Sequence, residues 1–309
     1  MRYILLFILL LCKFSGFGQE TKWIPFNWEG ADISGRQFNK IAITVPVTLD
    51  KLPYKFKMQL DLGAVESMIY GQSFLPYLDT HSSLKNKIDT SQTFKIQDKA
   101  FPFFKNIDLK LGNVSFGKKN IGYFKDFGDS ISKDSLNSKN EQFIGTLAPD
   151  IFQDKILIID FPNQKLCIAH KLTKAYSQVQ FQDFKIKNGR IKIPFDINGK
   201  TEDIMFDTGS SLFSLVTTQE NANKIAKPTI IDSLEVSSWG KLLTFYGQQT
   251  NVPIKFGNLE LPQTIVYFDD QNSSEQLFKD EQIWGITGNM FFLKNIVVID
   301  YKNKKFGIK

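Results

Sequence analysis

The chain has 309 residues with 42% apolar and 14% aromatic content, enough for a large core, and this composition excludes a disordered or fibrous protein. Its formal charge of +6 is spread along the sequence, and no interleaving of basic and aromatic residues marks a nucleic-acid surface. The two histidines, His81 and His170, lie outside any metal-ligand motif and no Gly-x-Ser-x-Gly elbow occurs, so metal and serine-triad chemistry lack their parts.

In chain order, residues 1–18 comprise a short basic start, an apolar run too short to span a bilayer, and small residues ending Ser15-Gly16-Phe17-Gly18. This reads as a secretory signal, so the exported chain, secreted or periplasmic, is expected to begin near Gln19. Cys12 is the alternative, a lipoprotein acceptor, but Leu10 and Leu11 precede it where such sites want small residues. Membrane contact is expected only through such a lipid. Past the signal, Cys167 is the single cysteine, so no intramolecular disulfide is expected. Between Leu166 and Ile168 it reads as a small buried hydrophobe.

The first half then shows a strand of period two over 41–47. It leads to Met58-Gln59-Leu60-Asp61-Leu62-Gly63-Ala64, a short apolar strand that delivers an aspartate into a turn whose glycine permits close backbone approach. After Leu109-Lys110-Leu111-Gly112-Asn113-Val114, a polar stretch over 126–142 reads as a loop before Phe143-Ile144-Gly145 and an apolar run through Asp160 to Ile168.

The second half repeats this order. A strand over 190–195 and an Asn198-Gly199 hairpin signal feed Asp203-Ile204-Met205-Phe206-Asp207-Thr208-Gly209-Ser210-Ser211. Ile254-Lys255-Phe256-Gly257-Asn258-Leu259 follows, and a polar stretch over 269–282 reads as a loop before Ile283-Trp284-Gly285. From Phe143 to Ile168 and from Ile283 to Ile308 the halves align without a gap, with roughly a third of positions identical. One lobe is written twice, with its boundary between His170 and Asp183: residues 19–175 and 176–309 are the expected lobes.

Asp61 and Asp207 occupy matched places in the repeat and are the candidate catalytic pair. Hydrolysis of an unactivated amide needs a base for water and an acid for the carbonyl oxygen, and two carboxylates sharing one proton supply both. Such a pair titrates as a unit.

The order Asp-Thr-Gly-Ser-Ser, then two apolar residues and a glycine, then an apolar run into Asp-Tyr-Lys-Asn-Lys-Lys-Phe-Gly-Ile, resembles the pepsin-like and retropepsin-like aspartic proteases over nearly all of the chain after the signal. The resemblance implies a mainly β, two-lobed acid-protease fold with pseudo-twofold symmetry. It also implies an aspartic endopeptidase acting on a polypeptide substrate through Asp61 and Asp207, without cofactor or metal. Gly63, Thr208, Gly209 and Ser210 would support the two turns, and a monomer is expected. Leu62 departs from the pattern, standing where the family has Thr or Ser. Leucine offers no hydroxyl, so Thr208 is expected to lack its partner, and the alternative function is a silent relative that binds a peptide or glycan in the cleft. No Tyr-Gly occurs where the family carries its flap. Tyr246, in Phe245-Tyr246-Gly247-Gln248, is the flap-like candidate; its other reading is an edge-strand tyrosine before a turn glycine.

Overall fold

Each aspartate strand ends in buried apolar residues, Met58 and Leu60 or Ile204 to Phe206, because it is sandwiched between neighbours of the same half. In the computed structural model, which describes residues 22–309 apart from 97, 98, 239, 270 and 272, three sheets account for this pattern. The signal reading of residues 1–18 and the Cys12 alternative lie outside the described residues.

An eight-stranded sheet is built from the first half and a ten-stranded sheet from the second. The central motif is the same in both. Phe56–Leu60 runs parallel to Gln142–Leu147, as Lys200–Phe206 runs parallel to Gly285–Thr287. Met68–Tyr70 and Leu215–Thr217 then lie antiparallel to those partner strands. Each aspartate therefore sits in the turn between a strand and its return, and each is pinned from beneath: Asp61 N donates to Leu147 O and Asp207 N to Thr287 O, both at 2.9 Å. The hairpin expected at Asn198-Gly199 is present, with Ile197 facing Lys200 and both turn residues at positive φ (52° and 81°), the backbone of a type I′ turn.

A six-stranded sheet joins the halves, in the order Trp23–Pro25, Lys165–Ala169, Ile156–Asp160, Ile296–Asp300, Lys305–Ile308, Gln180–Asp183. Its register carries the pseudo-twofold axis. Ile156 faces Asp300 and Asp160 faces Ile296, pairs that the repeat exchanges, while Ile158 faces Val298 at the centre. Asp160 and Asp300 are buried, and each turns the chain by accepting from the amide of the asparagine three residues on, Asn163 at 3.1 Å and Asn303 at 2.9 Å.

The largest apolar cluster runs from one lobe through this sheet into the other and explains the aromatic content: Phe206, Phe256 and Phe292 ring Phe306 at centroid distances of 5.1, 5.3 and 5.9 Å. Cys167 is buried, as expected of a small hydrophobe. One expectation is corrected. The stretch 269–282 is not all loop, because Glu275–Glu281 forms a helix that buries Phe278, carries a Glu275 to Lys279 ion pair one turn apart, and ends on Gln282 in the left-handed conformation. Its apolar residues are too few to betray a helix by period, and it is anchored by burial of Phe278 in a cluster with residues far away in sequence, Met205, Phe213 and Phe245 among them. The corresponding stretch in the first half contains only a 3-10 turn, Lys133–Asn137, capped by Ser132.

Candidate active site

Within the first turn, the amides of Gly63 and Ala64 donate to Asp61 Oδ1 at 3.0 and 2.9 Å; within the second, the Gly209 amide donates to Asp207 Oδ1 at 2.7 Å. The glycines are required by the opposite lobe. A Cβ on Gly63 would lie 2.3 Å from Asp207 Cγ, and one on Gly209 would lie 2.7 Å from Asp61 Cγ, so each glycine forms the seat of the other turn's carboxyl group. The two carboxyl groups therefore face each other across the lobe boundary, and the charge of Asp207 acts directly on Asp61.

Burial raises both carboxyls above the usual range. Asp61 is raised further, by burial first and then by the charge of Asp207. Asp207 is raised by burial, against the Gly209 amide, its neighbour Asp61, the Arg190 guanidinium and the Ser210 amide, all of which favour its ionised form.

The cross-lobe contact corrects the expectation for Thr208. Its hydroxyl is fully satisfied: Oγ1 donates to Leu60 O at 2.7 Å and accepts from Leu62 N at 3.0 Å. Both partners are backbone groups, so they are present whatever side chain stands at position 62. What Leu62 cannot do is return such a bond to the second turn, and its side chain instead lies fully buried in the main apolar cluster. The Thr208 carbonyl is held by Ser211 Oγ at 2.8 Å and Asn289 Nδ2 at 3.1 Å, while Ser210 closes the turn through its amide to Asp207 O at 3.1 Å.

Two further polar residues stand at the site that sequence reasoning missed. Tyr70 lines the cleft and shares a 2.5 Å hydrogen bond with Thr146, and burial holds its phenol protonated. Arg190, at the head of the strand that feeds Asp207, donates through Nε to the Gly63 carbonyl at 2.5 Å and through Nη1 to Glu281 at 2.8 Å. A signal was available, since lysine supplies nearly all the cations and Arg2, Arg36 and Arg190 are the only arginines. A fork that must serve two acceptors is a place where lysine does not substitute.

The aspartates form the floor of a cleft of about 420 Å³. Its walls are mixed: Ile33 and Ala42 from the first lobe and Met205, Phe213, Val216 and Phe245 from the second alternate with polar groups such as Gln59, Ser237 and Ser274. The hairpin of Ala226–Ser238 and Lys241–Thr250 contributes Val236, Leu243 and Phe245, whereas among the described residues no side chain of the long first-lobe strands Ile88–Ile96 and Lys99–Leu111 lines it. Phe245 faces the cleft; Tyr246, one residue on and therefore on the other face of the strand, packs toward Phe268 at 6.1 Å. The hairpin is tied across to the first lobe, where Arg36 pairs with Asp232 at 2.8 Å and Ser34 Oγ accepts from the Glu235 amide at 3.1 Å.

No family model and no curated protein sequence matches the chain. Among solved structures, the aspartic proteinase from Irpex lacteus is similar, with a TM-score of 0.50 and 11% identity over 93% of this chain and 96% of that one. The likeness shows the fold, a mainly β, two-lobed structure of the aspartic-proteinase kind.

Proposed function

We propose that the chain is an aspartic endopeptidase in which Asp61 and Asp207 activate water for attack on a peptide bond. The observation that carries this reading is the facing carboxyl pair, each member seated on the other lobe's glycine at the floor of the cleft. One carboxylate of the pair takes a proton from the water while the other, protonated, gives one to the carbonyl oxygen; as the tetrahedral intermediate collapses, the first passes its proton to the leaving nitrogen and the second recovers one from the hydroxyl, which restores the starting pair. The substrate is an extended polypeptide with apolar side chains in the cleft. The second-lobe hairpin serves as the flap, with Phe245 rather than Tyr246 against substrate. Export follows from the reading of residues 1–18 and is tested by N-terminal sequencing of the processed protein: retention of the apolar run, or a lipid on Cys12, would overturn it.

The activity is tested by cleavage of an unfolded protein at acidic pH, with and without a statine-type inhibitor. Asp61→Asn and Asp207→Asn are each expected to abolish cleavage with folding intact, since either change removes one of two interchangeable acid–base groups. Leu62 favours one other reading, a silent protein that binds peptide or glycan in the same cleft; an inert wild type that Leu62→Thr awakens would support it.

A further inference from the structure

The two aspartate turns are not held alike. Thr44 faces Gln59 and Lys192 faces Met205, each partner lying two residues ahead of its aspartate, so the repeat puts Ala42 of the first lobe where the second has Arg190. Arg190 is thus an addition to one lobe only, yet it reaches across to the other through the Gly63 carbonyl. Its remaining arm is anchored on Glu281, whose side chain is only 2% exposed and which also accepts from Asn188 at 3.0 Å and pairs with buried Lys192 at 3.2 Å. One carboxylate shared by two cations leaves positive charge over, in a site shielded from water, and the arginine is the cation that lines the cleft with Asp207.

We propose that Arg190 is the positioning residue of this dyad: it clamps the first-lobe turn, where Leu62 supplies no hydroxyl, and places a cation in the cleft beside the carboxyl pair. The inference rests on the dyad reading above. The titratable and charged groups around the pair are Asp61 and Tyr70 from the first lobe and Arg190, Glu281 and Lys192 from the second. Of these, Arg190 is the one whose charge favours ionised Asp207.

The test compares wild type, Arg190→Gln and Arg190→Lys in two measurements over about pH 3 to 8: affinity for a statine-containing peptide, and thermal unfolding. Loss of the cation in Arg190→Gln is expected to move both limbs of the binding profile upward by about one pH unit. Arg190→Lys keeps the charge and therefore the limbs, but weakens binding about tenfold because an ammonium cannot hold the Gly63 carbonyl and Glu281 in one fork. The pH dependence of unfolding should shift upward in Arg190→Gln in the same way, and the shift should vanish when Asp207→Asn is added. That second measurement needs neither cleavage nor inhibitor. A wild type that neither cleaves nor binds would sink the protease reading and leave Arg190 to be decided by the unfolding curves. Limbs unmoved in both measurements would reduce Arg190 to an ordinary structural contact and overturn the proposal. Should Arg190→Gln fail to fold, Arg190→Lys decides: a tenfold loss at unmoved limbs upholds the clamp, and wild-type affinity refutes it.

Discussion

Leu62 shows how one side chain can be wrong for a motif and right for a core. The backbone on either side of it satisfies Thr208, so no buried hydroxyl is orphaned, and the leucine itself contributes apolar burial between the lobes. Replacing it with threonine exchanges packing for polarity. Truncating a buried leucine to alanine costs about 2–5 kcal/mol, and threonine retains part of that contact. A new hydrogen bond to the second turn returns about 0.5–1.5 kcal/mol. Leu62→Thr is therefore expected to lower stability by about 1–2 kcal/mol in urea unfolding while leaving cleavage unchanged or raising it several-fold. A folded Leu62→Thr that loses cleavage would mean that the leucine's packing is part of the working site.

At the scale of elements, the part of the fold legible in sequence is the part written twice. The aspartate turns, the crossing strands that carry Gly145 and Gly285, and the paired central strands of the joining sheet all keep their backbone roles in both halves, and repetition amplified each weak signal. What was not legible is what the halves do differently. Arg190 and Gly63 are 127 positions apart, and no local pattern announces a contact between them. Which long hairpin leans over the cleft is likewise decided between lobes, by Arg36 on Asp232, Ser34 under Glu235, and the apolar cluster of Leu234, Leu243 and Phe245 joined by Ile33 and Phe38 from the first lobe. Strand alternation then chooses Phe245 over Tyr246 as the residue that meets substrate. Phe245→Leu keeps an apolar group in the cluster at a cost of about 1 kcal/mol and is expected to lower kcat/KM several-fold, whereas Tyr246→Phe leaves it unchanged. Steady-state kinetics on one peptide substrate check both, and the reverse order of effects would return the flap role to Tyr246.

The whole molecule gathers raised carboxyls between its lobes. Besides Asp61 and Asp207, Glu66 is pushed up to about 7 by burial and by the nearby charge of Asp150. Asp150 is itself pushed up to about 6 by burial, against the Ser67 hydroxyl and amide that donate to it at 2.6 and 3.0 Å. For each of these groups the folded state holds its proton more tightly than the unfolded chain does. Between the ordinary values of 3.8 for aspartate and 4.5 for glutamate and the raised ones, folding therefore takes up protons, and stability increases as pH falls. The gain is complete near the ordinary values. Below them the opposite group takes over, since Glu29, paired with Lys57, and Glu281, paired with Arg190 and Lys192, are held below the usual range and lose their stabilisation on protonation. The protein should thus unfold at a higher temperature near pH 5 than near pH 7.5, by several degrees for a gain on the order of 2 kcal/mol, with a decline only at stronger acid. Glu66→Gln should flatten the rise above pH 5 by raising stability at neutral pH, and Asp61→Asn should do the same through the dyad. A melting temperature that falls steadily from pH 7.5 to pH 5 in the wild type would show that these carboxyls are ionised at no cost in the folded protein, and with that the shared proton on which the proposed chemistry depends would be lost.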